Sequence, residues 1–209
     1  MKSKLFSNKD ILTILGLGLT MSVIVALLIF KKTNMGEENE DVKDYSKYFT
    51  DKYRWYKNKT TLNLLNKLHP KYRNKIAEFF SKIEDELGYS PFITSGYRSF
   101  KEQQVLHNRN SQNAKAGYSS HNFGFAVDIN VKDKNGVNFL KKANTSKKWR
   151  DSGVVPIAEK LGLLWGGDGN FGSYHDPIHF YIKPNNLSTS DLRALVNSGK
   201  KDKNGYVLV

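Results

Sequence analysis

The chain has 209 residues and no cysteine, so disulfide bonds and thiolate ligands are excluded and a metal would need His, Asp or Glu. Its 33 lysines and arginines exceed its 20 acidic residues, and the resulting formal charge of +13 favours acidic partners. The basic residues are scattered and no nucleic-acid-binding motif accompanies them, so no nucleic acid is expected among those partners.

An uncharged segment near the N-terminus predicts a transmembrane helix. Residues 11–30 contain no charged side chain, and a helix needs about 20 apolar residues to cross the hydrocarbon core. The segment is longer than the apolar region of a cleavable signal peptide, and residues 29–32 form a poor cleavage site. Residues 1–32 are therefore interpreted as an uncleaved signal anchor, with a buried core helix as the alternative.

The segment that follows the anchor has two parts. Residues 33–43 are polar and acidic, which predicts a tether. Between residues 45 and 56, the aromatic side chains fall nearly on one helical face. This helix either packs against the domain or lies at the membrane interface. The predicted organisation is thus an anchor (1–32), a tether with an aromatic segment (33–59) and a domain (60–209).

Hydrophobic periodicity predicts both helices and strands in the domain. Apolar residues from Ile76 to Leu87 recur at helical spacing, and this helix is expected to stop at Gly88. The remaining segments are predicted as helices at 100–108, 154–161 and 191–197, the last capped by Ser190, and as strands at 91–95, 125–131 and 178–182. The absence of a regular β-α-β rhythm predicts an α+β domain with a mainly antiparallel sheet flanked by helices.

Two histidines and an aspartate are the candidate metal ligands. Alternation in the strand 125–131 turns its apolar residues into the core, so Asp128 faces the other side. His121 must come from the turn before this strand, where Gly124 allows the chain to bend. His179 faces away from the core in the strand 178–182. His121, Asp128 and His179 would then form a catalytic zinc site with one open position.

Hydrolysis at such a site needs two further groups. Zinc with three protein ligands lowers the pKa of a bound water toward about 7, and a base must still take up its proton. Asp176 stands at the entrance of the second strand and is predicted to act as base and then as acid for the leaving amine. Arg98 is predicted to stabilise the tetrahedral intermediate. A turn role for Asp176 and a structural ion pair for Arg98 are the alternatives.

Four further residues are candidate substrate contacts. His175 lies four residues before His179, but Pro177 argues against a shared helix, so His175 is predicted to support the site or to contact substrate. Ser119 either touches substrate or has a turn role. The other two candidates are Tyr97, in the segment 95–99, and Gln103, in the helix that follows it.

Four motifs resemble those of the LAS zinc peptidases. Residues 119–128 match the SxHxxGxAxD signature, residues 95–99 match SGYRS, residues 164–167 contain WGG, and residues 176–180 match the closing motif. This family includes D-alanyl-D-alanine peptidases, L-alanyl-D-glutamate endopeptidases and the Hedgehog signalling domain. The resemblance covers roughly residues 60–182 and implies that Arg98 contacts the substrate or the transition state.

The resemblance also implies a function. It predicts a zinc-dependent peptidase that hydrolyses an amide bond in peptidoglycan stem peptides. The motif has Asp176 in the base position and Ile178 before the last ligand. In this it is more similar to the L-alanyl-D-glutamate endopeptidases, since the D-alanyl-D-alanine carboxypeptidases carry Glu and Trp at these two positions. The carboxypeptidase activity and a non-catalytic zinc-binding cell-wall module remain as alternatives, and a phage lysis enzyme is a further possible setting.

A peptidoglycan substrate bears on the membrane orientation. The lysines on the two sides of the segment 11–30 hardly favour either direction of insertion. A domain that cuts stem peptides must lie outside the membrane, so the N-terminus is expected inside and the catalytic domain outside. The oligomeric state is not indicated by any feature of the sequence.

Overall fold

An antiparallel sheet lies at the centre of the computed structural model, which describes residues 44–169 and 175–209. Its strands are β1 (Ser90–Ser95), β2 (Ala126–Lys132), β3 (Asn138–Leu140), β4 (Leu164–Trp165) and β5 (His179–Tyr181). The strand order is β1-β2-β5-β4, with β3 also paired to β2, and every pairing is antiparallel. Strand β2 is therefore the central element of the sheet.

Short helices surround this sheet. The α-helices of the described residues are α1 (Arg54–Lys57), α2 (Lys59–Leu65), α3 (Pro70–Lys82), α4 (Phe100–Arg109), α5 (Ser146–Asp151), α6 (Val154–Lys160) and α7 (Thr189–Asn197). Single 3₁₀ turns occupy Ser46–Tyr48, Ser120–Phe123 and Pro184–Asn186. This arrangement confirms the predicted α+β class with an antiparallel sheet flanked by helices.

The predicted membrane anchor, residues 1–32, lies outside the described residues, as does the tether at 33–43. Within the ranges 44–169 and 175–209, no helix is both long enough and apolar enough to span a bilayer. Residues 45–209 form one compact unit, which includes the aromatic segment that precedes residue 60.

Helix α3 supplies much of the core beneath the sheet. Pro70 occupies its first turn, where the missing N–H costs nothing, and Ile76, Phe79 and Phe80 are fully buried. The helix continues as a π-helical turn, Ile83–Leu87, and ends at Gly88 with φ of +69°. Only glycine adopts this left-handed conformation without strain, so the predicted stop at Gly88 is confirmed.

The aromatic segment packs against the domain. Trp55 of α1 is completely buried, and its Nε1–H donates a hydrogen bond of 3.1 Å to Ser81 Oγ on α3. The backbone N–H of Trp55 donates to Glu84 Oε1 at 2.8 Å, so the connection is polar as well as apolar. This burial favours packing against the domain, because a side chain enclosed by protein cannot also lie in a membrane interface. The single helix predicted for residues 45–56 is wrong, since the segment consists of the 3₁₀ turn Ser46–Tyr48 and the short helix α1 with turns between them.

Local interactions explain where other helices depart from the prediction. Helix α7 begins at Thr189 and is capped by Ser188, not by Ser190. Ser188 Oγ accepts from the N–H of Asp191, while the Asp191 carboxylate accepts from the N–H of Ser188, and this reciprocal pair fixes the helix start. Helices α2 and α5 lie outside the predicted elements, because each buries only one or two side chains and so shows no clear apolar period.

His69 joins the start of α3 to the C-terminal residues. Its Nδ1 accepts a hydrogen bond from the N–H of Lys71 at 3.3 Å, and its Nε2 lies 3.2 Å from the carbonyl oxygen of Val207. The ring also packs against Phe125, with centroids 4.5 Å apart. The neutral ring with its proton on Nε2 satisfies both contacts, whereas a proton on Nδ1 would remove the acceptor that caps α3.

We expect His69 to make the free energy of unfolding depend on pH. Burial lowers the pKa of His69, and the positive charge of Lys71 acts in the same direction, against the Val207 hydrogen bond and Asp202. Between that lowered pKa and the ordinary value of about 6.5, the unfolded chain binds more protons than the folded chain. The contribution of neutral His69 is therefore complete above pH 6.5 and is lost as the pH falls toward the folded pKa.

His69→Asn keeps a good helix cap but cannot titrate, so it isolates this effect. Urea unfolding of both proteins at pH 5 to 8 should show a stability difference that is largest at pH 8 and shrinks toward pH 5. A difference that stays constant over this range would contradict the assignment.

Candidate metal centre and active-site cleft

The register between β2 and β5 brings the first two candidate ligands together. Asp128 of β2 is paired directly with His179 of β5 in the antiparallel ladder. Side chains that face each other across such a ladder share one face of the sheet and lie in contact. The resulting distance between Asp128 Oδ1 and His179 Nδ1 is 2.9 Å.

His121 reaches the same point from a turn. It lies in the 3₁₀ turn Ser120–Phe123, which ends at Gly124 with φ of +74°. A Cβ atom at Gly124 would lie 2.6 Å from the backbone nitrogen of His69, so both the conformation and the close packing require glycine. His121 Nε2 then lies 3.2 Å from Asp128 Oδ1 and 3.2 Å from His179 Nδ1.

Hydrogen bonds fix which ring nitrogen of each histidine faces the cluster. His121 Nδ1 lies 2.6 Å from the carbonyl oxygen of Gly96, which can only accept, so Nδ1 carries the proton and Nε2 presents a lone pair. His179 Nε2 lies 3.4 Å from Ser120 Oγ on its other side, which leaves Nδ1 toward the cluster. Such contacts are the usual outer support of metal-binding imidazoles.

The donor set fits a divalent metal ion. His121, Asp128 and His179 each offer one ligand atom, and these atoms lie within 4.8 Å of one another. A tetrahedral zinc ion with ligands at about 2.0–2.2 Å needs donor atoms roughly 3 Å apart or slightly more, which is close to the distances between the ligand atoms of this cluster. The lone pairs of the three ligand atoms point toward one another and would repel. A bound cation would make this arrangement favourable.

The protonation states of the cluster suit metal binding. Burial lowers the pKa of His121 and so favours the neutral imidazole that a metal requires. Burial alone would raise the pKa of Asp128, but the close contacts with the imidazoles of His121 and His179 outweigh it and hold that pKa well below its usual range. Asp128 is therefore a carboxylate at neutral pH.

A cleft of about 550 Å³ opens above the cluster, and its lining includes most of the candidate site residues. Arg98, Gln103, Ser119 and Asp176 line it together with the three cluster residues. Gln103 is almost completely buried, and its amide nitrogen donates to the carbonyl oxygen of Ala114 at 2.7 Å. Its Oε1 has no hydrogen-bond partner among the described residues, so the cleft holds an unused acceptor.

Arg98 and Asp176 come from two different segments and line the cleft together with the cluster. The backbone N–H of Arg98 donates to the carbonyl oxygen of His121 at 3.1 Å, which ties the SGYRS segment to the ligand turn. Burial lowers the pKa of the Arg98 guanidinium, while Asp128 and Asp176 act in the opposite direction. Its Nε is buried and makes no hydrogen bond to any described residue. The guanidinium is thus a donor held inside the cleft.

Two of the predicted substrate contacts lie elsewhere. Tyr97 lines a separate cavity of about 210 Å³ with Phe100, Phe123 and Tyr206, rather than the cleft above the cluster. The Nδ1 atom of His175 lies 2.8 Å from the carbonyl oxygen of Gly167, in a position that supports the chain before β5. Substrate binding by these two residues stays a prediction from the sequence.

The cleft also contains residues outside the candidate set. Lys142, Lys183 and Tyr181 line it, and burial raises the pKa of the Tyr181 hydroxyl. Strand alternation predicts the place of Tyr181, which lies two residues after His179 on the same strand face. Lys142 and Lys183 belong to no motif, and only the folded chain reveals their position.

This donor set and cleft define a metal-dependent hydrolase, because they combine an open metal site with a nearby carboxylate and a partly buried cation. A model of the M15 peptidases, described as D-alanyl-D-alanine carboxypeptidase, matches residues 112–182. The peptidoglycan L-alanyl-D-glutamate endopeptidase CwlK of Bacillus subtilis (strain 168) is 32% identical over 130 residues, which cover 56% of this chain and 75% of CwlK. The chain belongs to the LAS-type zinc peptidases.

Solved structures of similar proteins include two peptidases. The L-Ala D-Glu endopeptidase ChiX of Serratia marcescens has 20% sequence identity and a TM-score of 0.45, with 61% of this chain and 90% of ChiX covered. The vancomycin-resistance D,D-pentapeptidase VanY, in complex with Zn(II), has 19% identity and a TM-score of 0.44, with 55% of this chain and 72% of VanY covered.

We expect His121→Ala to abolish stable zinc binding. The variant removes a neutral, pre-oriented nitrogen from a three-ligand site, and the affinity should fall by more than the ~10–100-fold that loss of an outer-shell partner costs. Zinc per chain after dialysis, measured by mass spectrometry, should drop from one toward zero. His107→Ala is the matched control, since His107 is not one of the three cluster residues and hydrogen bonds to the carbonyl oxygen of Asn113. Equal zinc content in both variants would contradict the assignment.

Proposed function

We propose that this chain is a zinc-dependent peptidase that hydrolyses an amide bond in peptidoglycan stem peptides. We propose further that the bond it cleaves is the one between L-alanine and D-glutamate. The observation that carries the proposal is the His121–Asp128–His179 cluster, set in one cleft with Asp176, in a chain 32% identical to an L-alanyl-D-glutamate endopeptidase. The M15 description over residues 112–182 favours D-alanyl-D-alanine carboxypeptidase activity as the second candidate.

His121, Asp128 and His179 are the residues that would hold the zinc. When bound at three protein ligands, zinc lowers the pKa of water toward about 7 and polarises the substrate carbonyl. Hydrolysis adds one water across the amide, so the carbonyl carbon ends as a carboxylate and the nitrogen leaves as an amine. The remaining work, moving a proton and balancing charge, falls to the side chains around the cleft.

We propose that Asp176, which lines the cleft with the cluster, moves that proton. Its backbone is fixed, because its N–H donates to Gly166 O at 3.0 Å and its carbonyl oxygen accepts from His179 N–H at 3.1 Å. The carboxylate can take a proton from the attacking water and return it to the amide nitrogen as the carbon–nitrogen bond breaks. One residue then serves as base and acid in turn.

Arg98 and Gln103 can bind the reacting peptide. The guanidinium of Arg98, whose Nε is buried, can donate to the carbonyl oxygen as negative charge develops there, and a donor in a desolvated cleft acts more strongly than one in water. The unpaired Oε1 of Gln103 can accept a hydrogen bond from a peptide N–H of the substrate. Ser119, also in the cleft lining, offers a hydroxyl as a further substrate contact.

We expect Asp176→Ala to keep zinc and to lose cleavage. Removal of a general acid and base lowers kcat by about 10²–10⁴-fold, while the three ligands stay in place. Asp151→Ala, which removes an exposed carboxylate paired with Lys147, serves as the control and should behave as wild type. Full activity of Asp176→Ala would refute the proton-transfer role.

Mass spectrometry of purified muropeptides, with and without a chelator, identifies the bond. Release of the stem peptide from its L-alanine supports the endopeptidase, whereas loss of terminal D-alanine alone supports the carboxypeptidase. If no muropeptide changes, the non-catalytic zinc-binding module becomes the better account.

We also propose that residues 1–32 anchor the chain in a membrane with the N-terminus inside and the catalytic domain outside. The uncharged stretch 11–30 and the peptidoglycan substrate support this topology. Protease added to intact protoplasts should degrade the domain in this orientation. Protection of the domain, with degradation only after lysis, would contradict it.

A further inference from the structure

We propose that Lys142 is a positioning residue that holds the Asp176 carboxylate in its working orientation. The inference rests on the proposed function, since it concerns the group that moves the proton. Lys142 Nζ lies 3.5 Å from Asp176 Oδ1, and both residues line the cleft above the metal cluster. Lys142 belongs to none of the motifs, so this role is one that the fold creates.

The Asp176 side chain needs such a partner. Its Oδ1 atom is buried, and no hydrogen bond reaches it from the described residues. The side chain as a whole is only 16% exposed, so water cannot solvate the carboxylate fully. The terminal torsion of aspartate is broad, and backbone contacts alone do not fix its rotation. A cation beside Oδ1 distinguishes the two oxygens and leaves Oδ2 to exchange protons.

The backbone that carries Lys142 is well placed to hold a fixed cation. It directly follows β3, whose Leu140 is completely buried and pairs with Val131 of β2. The adjacent Lys141 is bonded on both sides: its N–H donates to Asn144 Oδ1 at 2.8 Å, and its carbonyl oxygen accepts from Trp149 Nε1 at 3.3 Å. Lys142 therefore extends from an ordered turn that is tied to the same central strand as Asp128.

This pair differs from the other lysine–aspartate pairs of the surface. In the Lys147–Asp151 pair, the side chains are 82% and 61% exposed, so water and salt screen the interaction. In the Lys142–Asp176 pair, the lysine is 58% exposed but the carboxylate is largely enclosed. Screening is weaker around an enclosed charge, so the orientation of Asp176 depends on its partner.

Kinetics of the full-length zinc enzyme on muropeptides test the inference. Lys142→Met should lower kcat by about 10–100-fold, the size expected when a reacting group is misplaced by about 1 Å. KM should change by less than about threefold and zinc should stay at one per chain, because neither substrate contacts nor ligands are altered. Lys142→Arg should restore most of kcat, since it returns a cation. Lys147→Met is the matched control and should match wild type.

Two further measurements separate positioning from other roles. In the Asp176→Ala background, Lys142→Met should have no additional effect on residual kcat, because the group it positions is gone. Crystal structures of wild type and Lys142→Met give a readout that does not need activity: the Asp176 carboxylate should rotate or become poorly ordered in the variant.

Several outcomes would overturn the inference. A raised KM with unchanged kcat would make Lys142 a substrate-binding residue, and loss of zinc would make it structural. An unmoved Asp176 carboxylate in Lys142→Met would also refute it, whatever the kinetics. If wild type cleaves muropeptides and Lys142→Met cleaves them equally well, the positioning role fails alone. If wild type cleaves none, the proposed function fails, and the crystal structures still decide the positioning role.

Discussion

The register between β2 and β5 is the constraint on which the site depends. It sets Asp128 directly opposite His179, so two ligands from distant parts of the sequence meet on one sheet face. A slip by one residue would turn one of them toward the core. The opposite face prevents that slip, because Val127, Ile129 and Phe180 are fully buried there. Burial of apolar side chains on one face thus fixes the metal geometry on the other.

The cluster and its surroundings balance charges that would each be costly alone. Asp128 is a largely enclosed carboxylate, and Arg98 is a partly buried cation whose pKa its acidic neighbours help to support. A bound divalent metal would neutralise the carboxylate and would couple its own affinity to folding, since the unfolded chain has no such site. Stability and catalysis therefore depend on the same small group of side chains.

Much of this site could be predicted from the sequence because it is encoded locally. Alternation in the strand 125–131 indicates the face of Asp128, and the glycine at 124 indicates the turn that brings in His121. Tyr97 and Arg98 are neighbours in a non-helical segment, yet they line different cavities. Adjacent side chains of an extended chain point to opposite sides, so this divergence has a local cause as well. The position of Lys142 has no such local cause, because it follows from the pairing of β3 with β2.

The cations of the cleft bear on substrate choice. Arg98 and Lys183 line it, the charges of Lys142 and Asp176 offset each other, and a divalent metal would outweigh the Asp128 carboxylate, so its net charge would be clearly positive. A positive cleft favours a peptide with a carboxylate near the scissile bond. Both candidate bonds satisfy this condition, since D-glutamate and a terminal D-alanine each carry one. Charge therefore selects the class of substrate. The choice between endopeptidase and carboxypeptidase cleavage must then depend on how much room the cleft has for the peptide chain beyond the scissile amide.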